Sequence, residues 1–187
     1  LGDDPELAAA ASAAGVEIID YRRPPSREEV SSGRSHLPGK KVILTVGTDW
    51  NIGKMTTLLE VHKGLAQRGL KADFVATGQT GMMIRGRGVA VDSLIGDYIA
   101  GAIELEVDRS AEEGYEYILV EGQGSLTHMG YSGVTLGLIH GTMPDAMILC
   151  HQPTRSKDDY GLPLPGLKNI IAFHESVVKF FHETKVV

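Results

Sequence analysis

The stretch GTDWNIGKMTT, residues 47 to 57, concentrates the residue types that hold an anion. It follows the apolar run KVILTV and precedes LLEVHKGLAQRG, so it reads as strand, glycine loop and helix. In that context loop N–H groups, the helix dipole and the Lys54 ammonium converge on a phosphate. The expected binding set is Gly47, Thr48, Asp49, Asn51, Gly53, Lys54, Met55 and Thr56. The strict pattern G-x-x-x-x-G-K-[ST] is not met, because Thr48 replaces its first glycine and Met55 its hydroxyl residue. That hydroxyl normally holds Mg²⁺, and a thioether is a poor ligand for so hard a cation. Phosphate binding is therefore expected and a resident metal is not. Were the chemistry ATP-dependent, Thr56 and Glu121 would be the metal residues, with Thr56 acting only if the helix start moved by one residue.

Further glycine loops follow other strand-like runs, where open α/β sheets place their ligands. FVATGQTGMMIRGRG, residues 74 to 88, brings Thr77, Gln79, Thr80, Arg85 and Arg87 on a loop expected to wall the site, with an arginine for a carboxylate or phosphate. The plain alternative is a mobile loop with solvated arginines. YILVEGQGSLTHMG puts Glu121 at a strand end, as metal ligand or general base, followed by Gln123 and Ser125 as substrate contacts. DAMILCHQPTR ends its strand at Cys150 and His151 with Arg155 close behind; His151 is placed to point into the cleft or to be structural, while Cys150 reads as a small buried hydrophobe. His128 reads equally as structural or catalytic, and His140 as a helix end. Asp92 suits a helix N-cap, and Asp97 and Glu104 share one helix face as a solvated stripe.

The elements that must carry these residues show in the apolar pattern. Strand-like runs occupy Val16 to Ile19, Val42 to Val46, Ala72 to Ala76, Tyr117 to Val120 and Ala146 to Leu149. They are mostly continuous rather than alternating, which fits a sheet covered on both faces. Helical periods run over Lys54 to Arg68, Asp92 to Glu104 and Leu167 to Phe181, with an Ala-rich helical stretch near the start. Alternating strand and helix predicts an α/β fold with a mainly parallel sheet and helices on both faces.

At 187 residues the chain is long enough to bury a core, roughly 70% of the surface that its unfolded form exposes. Residues 22 to 41, rich in Pro, Ser, Gly and charge, read as a linker, and residues 152 to 166 as a surface loop or flap. The chain opens on Leu1 and closes on TKVV, which reads like a strand just beginning. The expected division is a remnant of an N-terminal domain plus linker over 1–41, and a main domain over 42–187 with further chain beyond it.

The net charge of -6 argues against a nucleic-acid surface, so any anion must be caught locally. No apolar run approaches the ~20 residues that span a bilayer. The lone Cys150 cannot form an intrachain disulfide, which makes a reducing cytoplasm the expected location.

GTDWNIGKMTT with the later VEGQGSL resembles the loop and acid of dethiobiotin synthetase and related P-loop proteins, in which the loop holds ATP and the acid helps to hold Mg²⁺. A fuller resemblance runs from about Val16 onward. GTD....GKMTT, VATGQTG.MI.G.GVAVD, DY.AGA.E, VEGQGSL.H and PDA..LCHQP.R are similar to a bacterial family, formerly without an assigned function, that includes D-glutamate N-acetyltransferases of the DgcN type. The resemblance implies a P-loop domain preceded by a Rossmann-like part, and Met55 belongs to its pattern.

It also implies acetyl transfer from acetyl-CoA to the amino group of a small acidic amino acid, with the loop seating CoA phosphates. Glu121 or His151 would be the base, Lys54 would belong to the catalytic set, and Arg85, Arg87 or Arg155 would grip the substrate carboxylate. A homo-oligomer is expected. Two other readings stand beside it: an ATP- and Mg²⁺-dependent ligase or kinase, and a nucleotide-binding protein without turnover.

Overall fold

The computed structural model describes residues 2–25, 28–34 and 39–187. The linker expected over 22–41 lies partly outside these residues, at 26–27 and 35–38. Helix α1, Pro5–Ala14, is capped by Asp4, whose Oδ1 accepts the N–H groups of Glu6 and Leu7, and it ends at Gly15 in the left-handed region. Strand β1, Lys41–Gly47, leads through the glycine loop into α2, Lys54–Gln67. Then come β2, Ala72–Val75, α3, Gln79–Arg85, two short 3-10 turns, and α4, Ile99–Glu112. The chain continues through β3, Tyr117–Val120, α5, Ser132–Thr142, β4, Ala146–Cys150, α6, Leu167–Val178, and β5, Lys185–Val186.

Among the described residues the five strands form one sheet in the order β2-β3-β1-β4-β5, every pair parallel. Because side chains alternate across a pleated strand, each strand serves two cores. Val42, Leu44 and Val46 of β1 join Val75, Ile118 and Val120 in the larger core with Ile103 and Val107 of α4 and Leu138 and Ile139 of α5. Ile43, Phe74 and Leu119 point the other way, against Leu58, Leu59 and Leu65 of α2. The expected α/β sheet with helices on both faces is thus the observed architecture. No helix among the described residues is long and apolar enough to cross a membrane.

Several expectations need correction. Val16 to Ile19 is not a strand: it has no partner strand, and Val16 and Ile19 are exposed beside α1. The helical period begun at Asp92 is broken, with turns at Val91–Ser93 and Gly96–Tyr98 before α4 starts at Ile99, because Leu94 and Ile95 are extended. Asp92 therefore lies in a 3-10 turn rather than capping α4. One helix was not legible, and of another only the end at His140 was. α3 lies where Gly81 and Gly86 suggest a loop. In α5, Gly137 and Gly141 face α4, where added Cβ atoms would fall 2.6 Å from Ile99 Cγ2 and 2.4 Å from the Ala100 carbonyl oxygen. Glycine costs the isolated helix about 1 kcal/mol per residue, and here close helix packing outweighs that preference.

Glu104 belongs to no solvated stripe. Its side chain is fully buried, and its carboxylate accepts the Ser32 N–H at 2.8 Å, the Ser32 hydroxyl and the Arg34 N–H. Gly101 lets this segment pass, since a Cβ there would sit 1.8 Å from the Glu29 carbonyl oxygen. The described part of the linker is thus fastened to α4. Burial raises the Glu104 pKa, but the hydrogen bonds from Ser32 and Arg34 outweigh it and leave the group below its ordinary 4.5.

Replacing Glu104 by Ala strips two backbone donors of their acceptor, and stability should fall by about 2–3 kcal/mol in urea unfolding. A carboxyl held below its ordinary pKa stabilises the fold only while ionised. The gap between wild type and variant should therefore be full above about pH 4.5 and shrink as pH falls through the folded value. A gap constant with pH would mean that the charge contributes nothing.

Candidate functional site

Because all strands run the same way, β1, β2, β3 and β4 end together at Gly47, Val75, Val120 and Cys150. The chain segments leaving these ends meet above one edge of the sheet, where such folds bind ligands. After β1 the loop turns through left-handed backbone at Asn51 (φ 49°) and Gly53 (φ 95°). Gly53 precedes α2 and no side chain caps that helix, so its first N–H groups have no side-chain partner.

Lys54, 6% exposed, donates from Nζ to the Asp49 carbonyl oxygen at 2.9 Å. Burial pushes its pKa from 10.5 down to about 8, against the opposing pull of Cys150, Asp49 and Glu121. Gly47 is needed for this fold-back, since a Cβ there would lie 2.7 Å from the same carbonyl oxygen. Asp49 is buried, with Oδ1 accepting the Trp50 N–H at 2.8 Å and Oδ2 accepting Arg155 at 2.9 Å. Thr48 Oγ1 lies 3.1 Å from Nδ1 of His151. Met55 packs partly buried against the core of Leu58, Phe74 and Leu119. Its thioether gives the loop an apolar footing where the strict pattern has a metal-binding hydroxyl.

Glu121 stands opposite the loop at the end of β3. Its Oε2 accepts the N–H groups of Thr77 at 2.9 Å and Gly78 at 3.2 Å. Burial pushes its carboxyl above the ordinary 4.5, although these bonds, the Gln123 amide and Lys54 pull the other way. A buried carboxyl raised in this way is a poised proton acceptor. Gly122 presses onto β1, where an added Cβ would meet the Thr45 carbonyl oxygen at 1.7 Å and Lys54 Cδ at 3.2 Å. Gly81 leaves room for Glu121 in the same way, with Oε2 2.4 Å from where its Cβ would be.

Two adjoining hollows result. One, of about 210 Å³, is lined by residues 50 to 56 and 121 to 124 and holds Asn51, Gly53, Lys54, Met55, Thr56, Glu121 and Gln123 of the expected set. The other, of about 280 Å³, shares Trp50, Gln123 and Gly124 with the first and adds Thr77, Gln79, Asp92 and Tyr131. Gly47, Thr48, Asp49, Thr80, Arg85, Arg87, Ser125, His151 and Arg155 of the expected set line neither hollow. Arg85 donates to Oδ1 of buried Asp73 from Nε at 2.7 Å, and Arg87 binds the other Asp73 oxygen at 2.9 Å and pairs with Glu113. These arginines are used in a structural cluster with the Ser110 hydroxyl, not held open for a ligand. Thr80 is exposed on α3, and Ser125 is buried, donating to the Gly47 carbonyl oxygen at 2.9 Å. His151 is exposed beside Thr48. The shared lining residue Trp50 and its neighbour Tyr131, rings 5.3 Å apart, were not expected. An aromatic inside a glycine loop was the available signal for Trp50.

The flap over 152–166 carries a bridge between Lys157 and Pro163 and is fastened to the site at two places. Arg155 binds Asp49 and the Trp50 carbonyl oxygen. His128 accepts the Gly130 N–H on Nδ1, which leaves the proton on Nε2 to be donated to Asp159 at 2.5 Å. The His128 ring also stacks on Tyr131 and packs against Tyr160, so its structural reading fits the geometry. Atoms of Asp49, His128 and Asp159 lie within 4.8 Å of one another, but Arg155, Gly130 and the His128–Asp159 bond already engage them.

Two outcomes follow from this geometry. Phosphate-ligand affinity, read by quenching of the lone Trp50, should fall as pH rises through about 8, where Lys54 loses its charge. Lys54→Met should bind about tenfold or more weakly and lose that pH dependence; an unchanged profile would clear Lys54 of the role. Gly122→Ala should cost about 3 kcal/mol in thermal unfolding, because backbone blocks the new methyl.

A family described as "Domain of unknown function (DUF1611_C) P-loop domain" matches residues 29–187. A D-glutamate N-acetyltransferase from Tritonibacter scottomollicae is 45% identical over 167 residues, covering 87% of this chain and 49% of that protein. Another, from a Pseudoalteromonas species, is 40% identical over 151 residues, 81% of this chain and 44% of its own length. The chain thus spans about half the length of these curated relatives. The crystal structure of a DUF1611 family protein from Anabaena variabilis ATCC 29413 superposes with a TM-score of 0.91 at 38% identity, over 100% of this chain and 55% of that one. From the fastened segment before β1, through the phosphate loop, to the last strand, the chain belongs to the DUF1611 family of P-loop domains.

Proposed function

We propose that this P-loop domain serves an N-acetyltransferase that moves an acetyl group from acetyl-CoA to the amino group of a small acidic D-amino acid. The observation that carries the reading is a phosphate loop with a buried lysine and with Met55 built into the core where a metal-binding hydroxyl would stand. Such a loop suits CoA, whose diphosphate needs seating and not activation as a leaving group. The relatives named D-glutamate N-acetyltransferase supply the acceptor class.

In this scheme the residues lining the first hollow hold the donor through Lys54 and the open N–H groups of α2. The second hollow, on the far side of Trp50 and Gln123, takes the acceptor. The amine nitrogen attacks the thioester carbonyl carbon, the C–N bond forms and the C–S bond breaks. The acceptor arrives as an ammonium and leaves as a neutral amide, so two protons leave its nitrogen. One goes to the departing CoA sulfur with the electron pair of the broken bond, the other to solvent. Glu121, lining the first hollow with a raised pKa, is the group that carries them off. His151, exposed and lining neither hollow, is the weaker candidate. Lys54 is a binding residue here.

The test is acetyl transfer to D-glutamate on the protein, with and without EDTA. Activity should survive chelation, and Glu121→Gln should lower kcat by about 10²-fold while acetyl-CoA still quenches Trp50. A requirement for ATP with Mg²⁺, and no response to acetyl-CoA, would overturn the reading in favour of a ligase or kinase using Thr56 and Glu121.

A further inference from the structure

In the proposed scheme the cations expected to grip the acceptor carboxylate are engaged elsewhere: Arg85 and Arg87 at Asp73, and Arg155 at Asp49. The second hollow has one acidic or basic lining residue among those described, Asp92. Its two oxygens accept the Gln79 amide at 3.2 and 3.3 Å. Just beyond its rim, Arg22 lies 3.4 Å from Asp92 Oδ2, both side chains more than half exposed. Arg22 and Gln79 also line the neighbouring hollow against α1, so the segment after α1 reaches the edge of the acceptor site.

We propose that Asp92 and Arg22 form a recognition pair for the zwitterionic head of an α-amino acid, Asp92 taking the ammonium and Arg22 the α-carboxylate. The proposal rests on the acetyltransferase reading for the use made of the hollow. Its chemistry is local. An α-amino acid carries opposite charges one carbon apart, and the Arg22–Asp92 pair offers the complementary charges at 3.4 Å. A ligand laid across the pair leaves neither charge of its α-amino acid head without a partner. An exposed ion pair of this kind is weakly held, so opening it costs little. A dicarboxylate without an amino group would instead set its charge against Asp92 with nothing gained. The hollow therefore selects an amine-bearing acceptor before the chemical step, and the segment preceding the P-loop domain becomes part of the substrate site.

The test is calorimetric titration of the protein with D-glutamate and with glutarate, which keeps both carboxylates and lacks the amine. Asp92→Asn should weaken D-glutamate about tenfold and tighten glutarate, removing the preference for the amine. Arg22→Ala should weaken both. In turnover, each variant should raise KM for D-glutamate and leave KM for acetyl-CoA unaltered. Unchanged D-glutamate binding in both variants, or no D-glutamate binding by the wild type, would overturn the pair. Asp92-dependent binding of D-glutamate without any acetyl transfer would sustain the pair and sink the acetyltransferase reading.

Discussion

The contact of Gly122 with the backbone of β1 sets the dimensions of the site. The Gly122 N–H reaches Thr45 Oγ1 at 2.9 Å, and the absence of a side chain lets this backbone lie against the Thr45 carbonyl with the Lys54 stem beside it. That approach brings two buried ionisable groups, Lys54 of the loop and Glu121 of β3, into one electrostatic neighbourhood. Each lowers the burden that burial places on the other's charged form, and desolvation still dominates for both. An amine near 8 and a raised carboxyl, side by side at the ends of parallel strands, are the consequence of glycine spacing around them.

Buried acids divide into two kinds in this fold. Asp73 and Glu104 are saturated, the first by Arg85, Arg87 and the Ser110 hydroxyl, the second by Ser32 and Arg34, and both end below their ordinary pKa. Burial raises the pKa of each, but the several donors outweigh it. Glu121 receives the Thr77 and Gly78 N–H groups on one oxygen and the pull of the Gln123 amide, but burial outweighs them and its pKa is raised. The distinction separates carboxylates that tie the fold together from one that retains capacity for a proton.

Around this centre the mobile-looking segments are fastened. The flap is tied by Arg155 to Asp49 and by Asp159 to His128, and Tyr160 packs on the same imidazole. The segment before β1 is tied by Glu104, and Gly101 gives it passage across α4. Trp50 lines both hollows, and Tyr131 packs against it on the side of the second. A ligand in either hollow meets the same indole, which gives the two sites a shared wall.

The sheet, its parallel sense and the loop with Lys54 were legible in the chain alone, because continuous apolar runs and the Gly47, Gly53, Lys54 spacing depend on local chemistry. Glu121 was legible as well, as an acid closing an apolar strand. The use of the arginines was not. Arg85 and Arg87 follow a strand end just as ligand-binding arginines do, and only packing places Asp73 beneath them. α3 and all but the end of α5 were hidden by their glycines, whose low helix propensity describes the isolated segment, while the gain from close approach to Glu121 and α4 exists only between elements. Asp92 carried the local mark of a helix cap, and its place in the second hollow opposite Arg22 joins residues 70 positions apart. Local pattern decides which backbone forms; the partner of a charge is decided by what the fold brings beside it.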